Sequence, residues 1–370
     1  MVKLFLAGDV MTGRGIDQIL PHPCEPLLFE SYMTSAEDYV KLAEATSGPI
    51  PRRVKPDYIW GDAIAILAEE QPDARIVNLE TAVTTSNTPE PKGINYRMNP
   101  RNGAALTALN IDCCVLANNH VLDWGTPGLL ETLETLRHLK LKSAGAGRGS
   151  TEAAAPAILD CGVQTRLLVF AFATRSSGIP KSWSAKPYRP GVNLLTGLSD
   201  REIGMVARQV SEVKRPGDVA IASIHWGGNW GFEVPAEHVA FAHSLINEAK
   251  IDIIHGHSSH HPQAIEIYHQ RPILYGCGDF LNDYEGIRGR EECRSDLAGM
   301  YFVEIEPEEG SHLCRFSIVP MRISEFRLTR AVGDDIEFMY RILRQQCAVF
   351  GTQVQLEPDG RLQVIVSSCN

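Results

Sequence analysis

Ile251-Asp252-Ile253-Ile254-His255-Gly256-His257-Ser258-Ser259-His260-His261 decides the reading of this chain. An apolar strand over Ile251–Ile254 runs straight into four histidines within seven positions. Imidazoles at that density, with Gly256 relaxing the backbone between two of them, suggest ligation of a transition metal. A solvated polar loop is the bland alternative. One ion cannot take all four rings. His257 and His260 are assigned to it. His255 points back toward the sheet and is grouped with substrate contacts, while His261 lies behind or exposed.

Four other predicted strands end in the same way. Val2–Ala7 runs into Asp9, Arg75–Leu79 into Glu80, Cys113–Ala117 into Asn119-His120 and Val219–Ile224 into His225. Ligands of open α/β sheets bind in the crevice outside the strand C-termini. If these strands share one edge, two carboxylates, an asparagine and several histidines meet there, as in a metal-centred active site. The Asn119 amide oxygen can bind a metal, His120 can act as acid or base, and Asp123 can orient His120. Arg14 can hold an anionic substrate bidentately. Arg97 and Asn99 are candidate substrate contacts, with a structural loop as the alternative. Asp279 reads as another site-edge residue or as a cap.

Composition narrows the class. The 370 residues are 44% hydrophobic and 22% charged, ordinary for a globular protein. A formal net charge of -10 argues against nucleic-acid partners or anionic membranes. No stretch has the apolar length of a membrane span, and Met1–Asp9 turns polar too soon for a signal peptide. The nine cysteines follow no disulfide or zinc-knuckle spacing. Buried thiols are expected at Cys113, Cys114, Cys161, Cys277 and Cys314, and the cytoplasm is the default location.

Strand and helix patterns alternate, giving an α/β class. Helices are expected over Asp57–Gln71, Asn102–Asn110, Pro127–Leu139, Leu198–Val213, Glu237–Glu248 and Asp334–Phe350. Residues 1–290 read as one domain. Residues 14–56 form an insertion in it, helical around Ser35–Ala45. Residues 291–370 supply strands, a helix and a closing hairpin at Asp359-Gly360 that complete the same unit. Ile179–Thr196 holds three prolines and is expected to be a long loop that shapes substrate access.

Five ordered motifs carry a family resemblance. Gly8-Asp9-Val10-Met11-Thr12-Gly13-Arg14, Asn78-Leu79-Glu80-Thr81, Asn118-Asn119-His120-Val121-Leu122-Asp123-Trp124-Gly125, His225-Trp226-Gly227 and Gly256–His260 resemble the CapA family of poly-γ-glutamate capsule biosynthesis. The resemblance covers about residues 2–285. It implies a calcineurin-like metallophosphatase fold, a two-sheet α/β/β/α sandwich, here with a C-terminal β-rich extension. It implies Asp9, Glu80, Asn119, His225, His257 and His260 as metal ligands and His120 as the catalytic histidine. Met11 stands where phosphoesterases of that fold carry a ligating histidine, and Glu80 replaces their bridging aspartate. One or two divalent ions are expected: Mn, Fe or Zn, or else Ca or Mg.

Three functions follow. The first is a metal-dependent hydrolase of a phosphoester, or of a γ-glutamyl or peptide amide, with poly-glutamate as one substrate. The second is a peptide epimerase using metal-assisted α-proton abstraction. The third is a non-catalytic component of a polymer-synthesis complex.

Overall fold

The strand Val2–Val10 is largely apolar on both faces and buried at all but Lys3, the pattern of a central strand covered on two sides. The computed structural model describes residues 1–162, 165–289, 291–307 and 311–366. On one edge, Val2–Val10 pairs in parallel with Ala74–Leu79. That strand pairs with Cys113–Val115, which pairs with Lys142–Ala144. The other edge is divided between two partners. Val2–Leu6 runs antiparallel to Leu297–Glu306, and Asp9–Val10 runs parallel to Asp279–Leu281. Leu297–Glu306 continues into His312–Ser324, and the hairpin Val354–Leu356 with Leu362–Val364 extends the same sheet. Residues 367–370 of the C-terminal segment lie outside the described residues.

A second sheet sets Arg166–Thr174, Val219–His225, Ile253–His257 and Arg271–Leu274 side by side in parallel. Side chains alternate between its faces with period two. Leu167, Val169, Val219, Ile221 and Ile253 enter a core shared with the first sheet. Leu168, Phe170, Ala220, Ile224 and Ile254 pack instead beneath the helices Asp200–Ser211 and Ala236–Asn247, against Val206, Val210, Phe241 and Leu245. The chain is thus a mixed α/β protein with several sheets.

Four local expectations change. The last site strand starts later and runs through the histidines: it is Ile253–His257, because these residues pair in register with Ile221–His225. Asp57–Gln71 breaks into a 3-10 turn at Tyr58–Trp60 and a helix at Ala63–Glu70. The break is at Gly61, where φ is +43° and a Cβ would lie 2.0 Å from the Leu328 carbonyl oxygen. Ile179–Thr196 is tied down by short pairings of Gly191–Val192 and Leu194–Leu195. Cys113, Cys114, Cys161 and Cys277 are buried, whereas Cys314 is exposed because its strand face turns outward. No helix among the described residues is long and apolar enough to cross a membrane.

Candidate metal centre

The inner face of the second sheet changes character along its strands. Val219 and Ile221 give way to Ser223 and His225, and Ile253 gives way to His255 and His257. Alternation keeps each set on one face, so the apolar interior ends in imidazoles at the C-terminal edge. Asp9 meets them from the opening strand and Glu80 from just beyond Ala74–Leu79.

Asp9, His225 and His257 each bring a donor atom within 4.8 Å of the others, and so do Asp9, His260 and Asp279. All five residues are buried. His225 Nδ1 lies 2.8 Å from His257 Nδ1, and His225 Nε2 lies 2.9 Å from Asn119 Oδ1. Glu80 Oε1 is 3.8 Å from His225 Nε2 and 3.7 Å from His120 Nε2. The residues expected to ligate a metal thus lie close to one another, with Asp9 common to both trios.

The electrostatics of this cluster are set by burial. Burial pushes Asp9 up to about 7. Burial, then the charge of Asp9, raises Glu80 well above the carboxylate range. Burial also drives His225 and His257 well below the ordinary imidazole value. Burial pulls His260 down too, but the Asp279 carboxylate, 2.9 Å from its Nδ1, outweighs that and leaves it raised. Asp9 Oδ1 accepts from Asn78 at 2.7 Å, while Asp9 Oδ2 is buried without a hydrogen-bond partner. An orphaned buried carboxylate oxygen beside imidazole nitrogens is the donor chemistry a divalent ion satisfies.

His120 sits at the rim of the cluster. Its Nδ1 lies 2.6 Å from Asp123 Oδ2, which leaves Nε2 facing Glu80. Burial lowers its pKa to about 4. Lys92, which the sequence reading missed, donates to Asp123 Oδ1 at 2.7 Å and to the Asn119 carbonyl. Only its lysine character in a Gly-rich turn signalled it. Trp183 of the Ile179–Thr196 segment lies beneath this ammonium, with the ring centroid 5.4 Å away.

Five candidate residues already have protein partners. Arg14 lines the cleft beside His260, and its donors are engaged: Asp283 takes Nε and Nη2 at 3.1 and 2.5 Å, and Glu30 and Tyr39 take Nη1 at 3.0 and 2.9 Å. Arg97 stacks on Trp124 and donates to Ser86, Asn87 and Glu25, contacts that tie loops together. Asn99 caps the turn Pro100–Asn102. His255 is fully buried between the sheets, donating from Nε2 to the Ala7 carbonyl at 2.9 Å. Asp279 is fully buried, with its Oδ1 2.9 Å from His260 Nδ1, in the candidate trio with Asp9. His261 is buried too, accepting from Gly231 N–H and packing on Phe232.

A cleft of about 430 Å³ opens beside His260. Tyr96, Trp230, Tyr284, Arg288 and Arg322 line it. No residue of Ile179–Thr196 does; that segment meets Lys92 through Trp183.

Comparison with known proteins places the chain. The family described as bacterial capsule synthesis protein PGA_cap matches residues 3–284. A probable polyglutamine synthesis accessory protein of Mycobacterium tuberculosis is 46% identical over 367 residues, spanning 99% of this chain and 96% of that one. The PGA biosynthesis protein CapA of Bacillus subtilis is 28% identical over 288 residues, 77% of this chain and 64% of that one. The capsule biosynthesis protein CapA of Bacillus anthracis is 24% identical over 299 residues, 78% of this chain and 62% of that one. All five motifs that converge on the buried cluster lie within the matched span, and the chain belongs to the bacterial capsule synthesis PGA_cap family.

Proposed function

We propose that this protein is a metal-dependent hydrolase of the calcineurin-like metallophosphatase type, acting on an amide of a glutamate polymer. The observation that carries the chemistry is the orphaned Asp9 Oδ2 beside His225, His257 and the His260–Asp279 pair. The names of the relatives support the substrate class. Two sheets sharing a core, with ligand candidates at the C-terminal edges in chain order, support the fold type.

Asp9, Glu80, Asn119, His225 and His257 would hold one ion, and Asp9, His260 and Asp279 a second. The mixed imidazole and carboxylate donors suit Mn, Fe or Zn better than the all-oxygen sites of Ca or Mg. A bound divalent ion supplies Lewis acidity and lowers the pKa of water from 15.7 to roughly 7. The protein's own part is proton movement. His120 is neutral near pH 7 because burial depresses it, and Asp123 holds its Nδ1–H. Its Nε2 lone pair can take a proton on the site side and return it to the leaving nitrogen. Burial of the cluster excludes bulk water from these transfers.

The test is turnover of γ-glutamyl oligomers, with aryl phosphoesters in parallel, after reconstitution with Mn²⁺, Fe²⁺ or Zn²⁺. His120→Asn should keep its metal and lose about 10²–10⁴-fold in rate. Preferred cleavage of phosphoesters would replace the substrate. Absence of bound metal in the wild-type protein would end the hydrolase reading.

A further inference from the structure

We propose that Ser223 and His255 are positioning residues, which hold His257 in the tautomer whose Nδ1 lone pair faces the ligand cluster. The inference deepens the metal reading above and rests on it for its affinity arm alone.

The argument starts from a group with no choice. A peptide carbonyl only accepts hydrogen bonds. His255 Nε2 lies 2.9 Å from the Ala7 carbonyl oxygen, so Nε2 carries the proton. The ring is fully buried, and its two partners, a carbonyl and a hydroxyl, carry no charge, which favours the neutral form. In neutral His255, Nδ1 is therefore an acceptor. Ser223 Oγ lies 3.0 Å from that Nδ1 and must donate its single proton there. Oγ is then left with lone pairs for its other partner, His257 Nε2 at 2.8 Å. His257 donates from Nε2, and its Nδ1 is a bare lone pair, 3.8 Å from Asp9 Oδ1.

The relay spans both sheets. It begins on the opening strand at Ala7, crosses to His255, moves sideways to Ser223 and returns to His257. Strand register makes it possible: Ser223 pairs with His255, and His225 with His257. His257 Nδ1 faces His225 Nδ1 at 2.8 Å. If His225 donates from Nε2 to Asn119 Oδ1, two lone pairs oppose each other, a contact that a cation relieves.

The experiment is ¹⁵N NMR of histidine-labelled full-length protein stripped of metal, paired with titration of Mn²⁺ and Zn²⁺. Wild-type His255 and His257 should both show protonated Nε2 and bare Nδ1. Ser223→Ala should give His257 a mixed tautomer signature and weaken metal binding about 10–100-fold. Ser223→Thr, which keeps the hydroxyl, should restore both. A proton on His257 Nδ1 in the wild-type protein overturns the inference, as does a Ser223→Ala variant with unchanged tautomer and affinity. Wild-type protein with the stated tautomers and no affinity for either metal would end the hydrolase reading and leave the relay supported.

Discussion

Asp9 and Asp279 stand at paired positions of two neighbouring parallel strands, both fully buried. The backbones approach closely there. Asp9 N–H donates to the Gly278 carbonyl at 3.1 Å, and a Cβ on Gly8 would lie 1.8 Å from that same oxygen. Met11, on the same strand end, is buried and donates its N–H to Leu281. Asp279 brings a second carboxylate to the Asp9–His260 trio.

On the proposed reading, Asp279→Asn removes an anionic donor while keeping the side chain's size. One of two bound metal equivalents should be lost or weakened by about 10-fold or more. Metal content by elemental analysis, with titration of the refilled protein, checks this. Two tight equivalents in the variant would place Asp279 outside the ligand set.

The buried Arg14 pair should show in stability rather than in substrate affinity. Asp283→Ala leaves the guanidinium with Glu30 as its one carboxylate partner and strips Nε and Nη2 of theirs, at a cost of about 3–5 kcal/mol. Arg14→Lys should lose part of that, since an ammonium cannot reproduce the fork held by Asp283. Urea denaturation of both variants is the measurement, and a change below about 1 kcal/mol for Asp283→Ala would contradict the pairing.

Acid should destabilise the metal-free protein in a defined window. Burial depresses His238 and His255 to about 4, against an ordinary value of 6.5. The unfolded chain binds protons on them below 6.5 and the folded chain does not until about 4. Their stabilisation is therefore complete above 6.5 and lost as the pH falls toward 4. Asp9 acts oppositely: raised to about 7 from 3.8, its contribution is present below 3.8 and lost as the pH rises through 7. His238 stacks on Trp226 at 4.5 Å, so His238→Phe keeps the ring and removes the titration. The melting temperature of this variant should fall less between pH 6.5 and 4 than that of wild type, by an amount on the order of 3 kcal/mol in stability.

Lys92 lowers the proton affinity of His120 and ties Asp123 in place. Lys92→Met should raise the His120 pKa, read by ¹H–¹⁵N NMR titration, and slow turnover by roughly 10-fold through a loosened base. An unmoved His120 titration would show that the ammonium does not govern it.

What the sequence disclosed follows from locality. Asp9, Glu80, Asn119, His225 and His257 were legible because each follows an apolar run, and strand ends are visible along the chain. The partners that engage Arg14 and His255 were not legible, because they are remote. Asp283 lies 269 residues from Arg14 in sequence, and Ala7 lies 248 from His255. A side chain's charge shows its chemistry, but only the fold shows whether that chemistry is already satisfied. The strand of the histidine segment was ended at Ile254, short of His257, for a related reason. Its strand character comes from pairing with Ile221–His225, a register that local hydrophobicity does not reveal.

The divided edge of Val2–Val10 has a consequence for biosynthesis. Val2–Val10 takes one set of partners from residues 279–281 and another from 301–305. At about 5–20 residues per second, roughly 15–60 s of synthesis separate it from those partners. The candidate ligand cluster is complete only once residue 279 has been made. A nascent chain stalled before residue 279 would carry most of the ligands and still lack the carboxylate opposite Asp9.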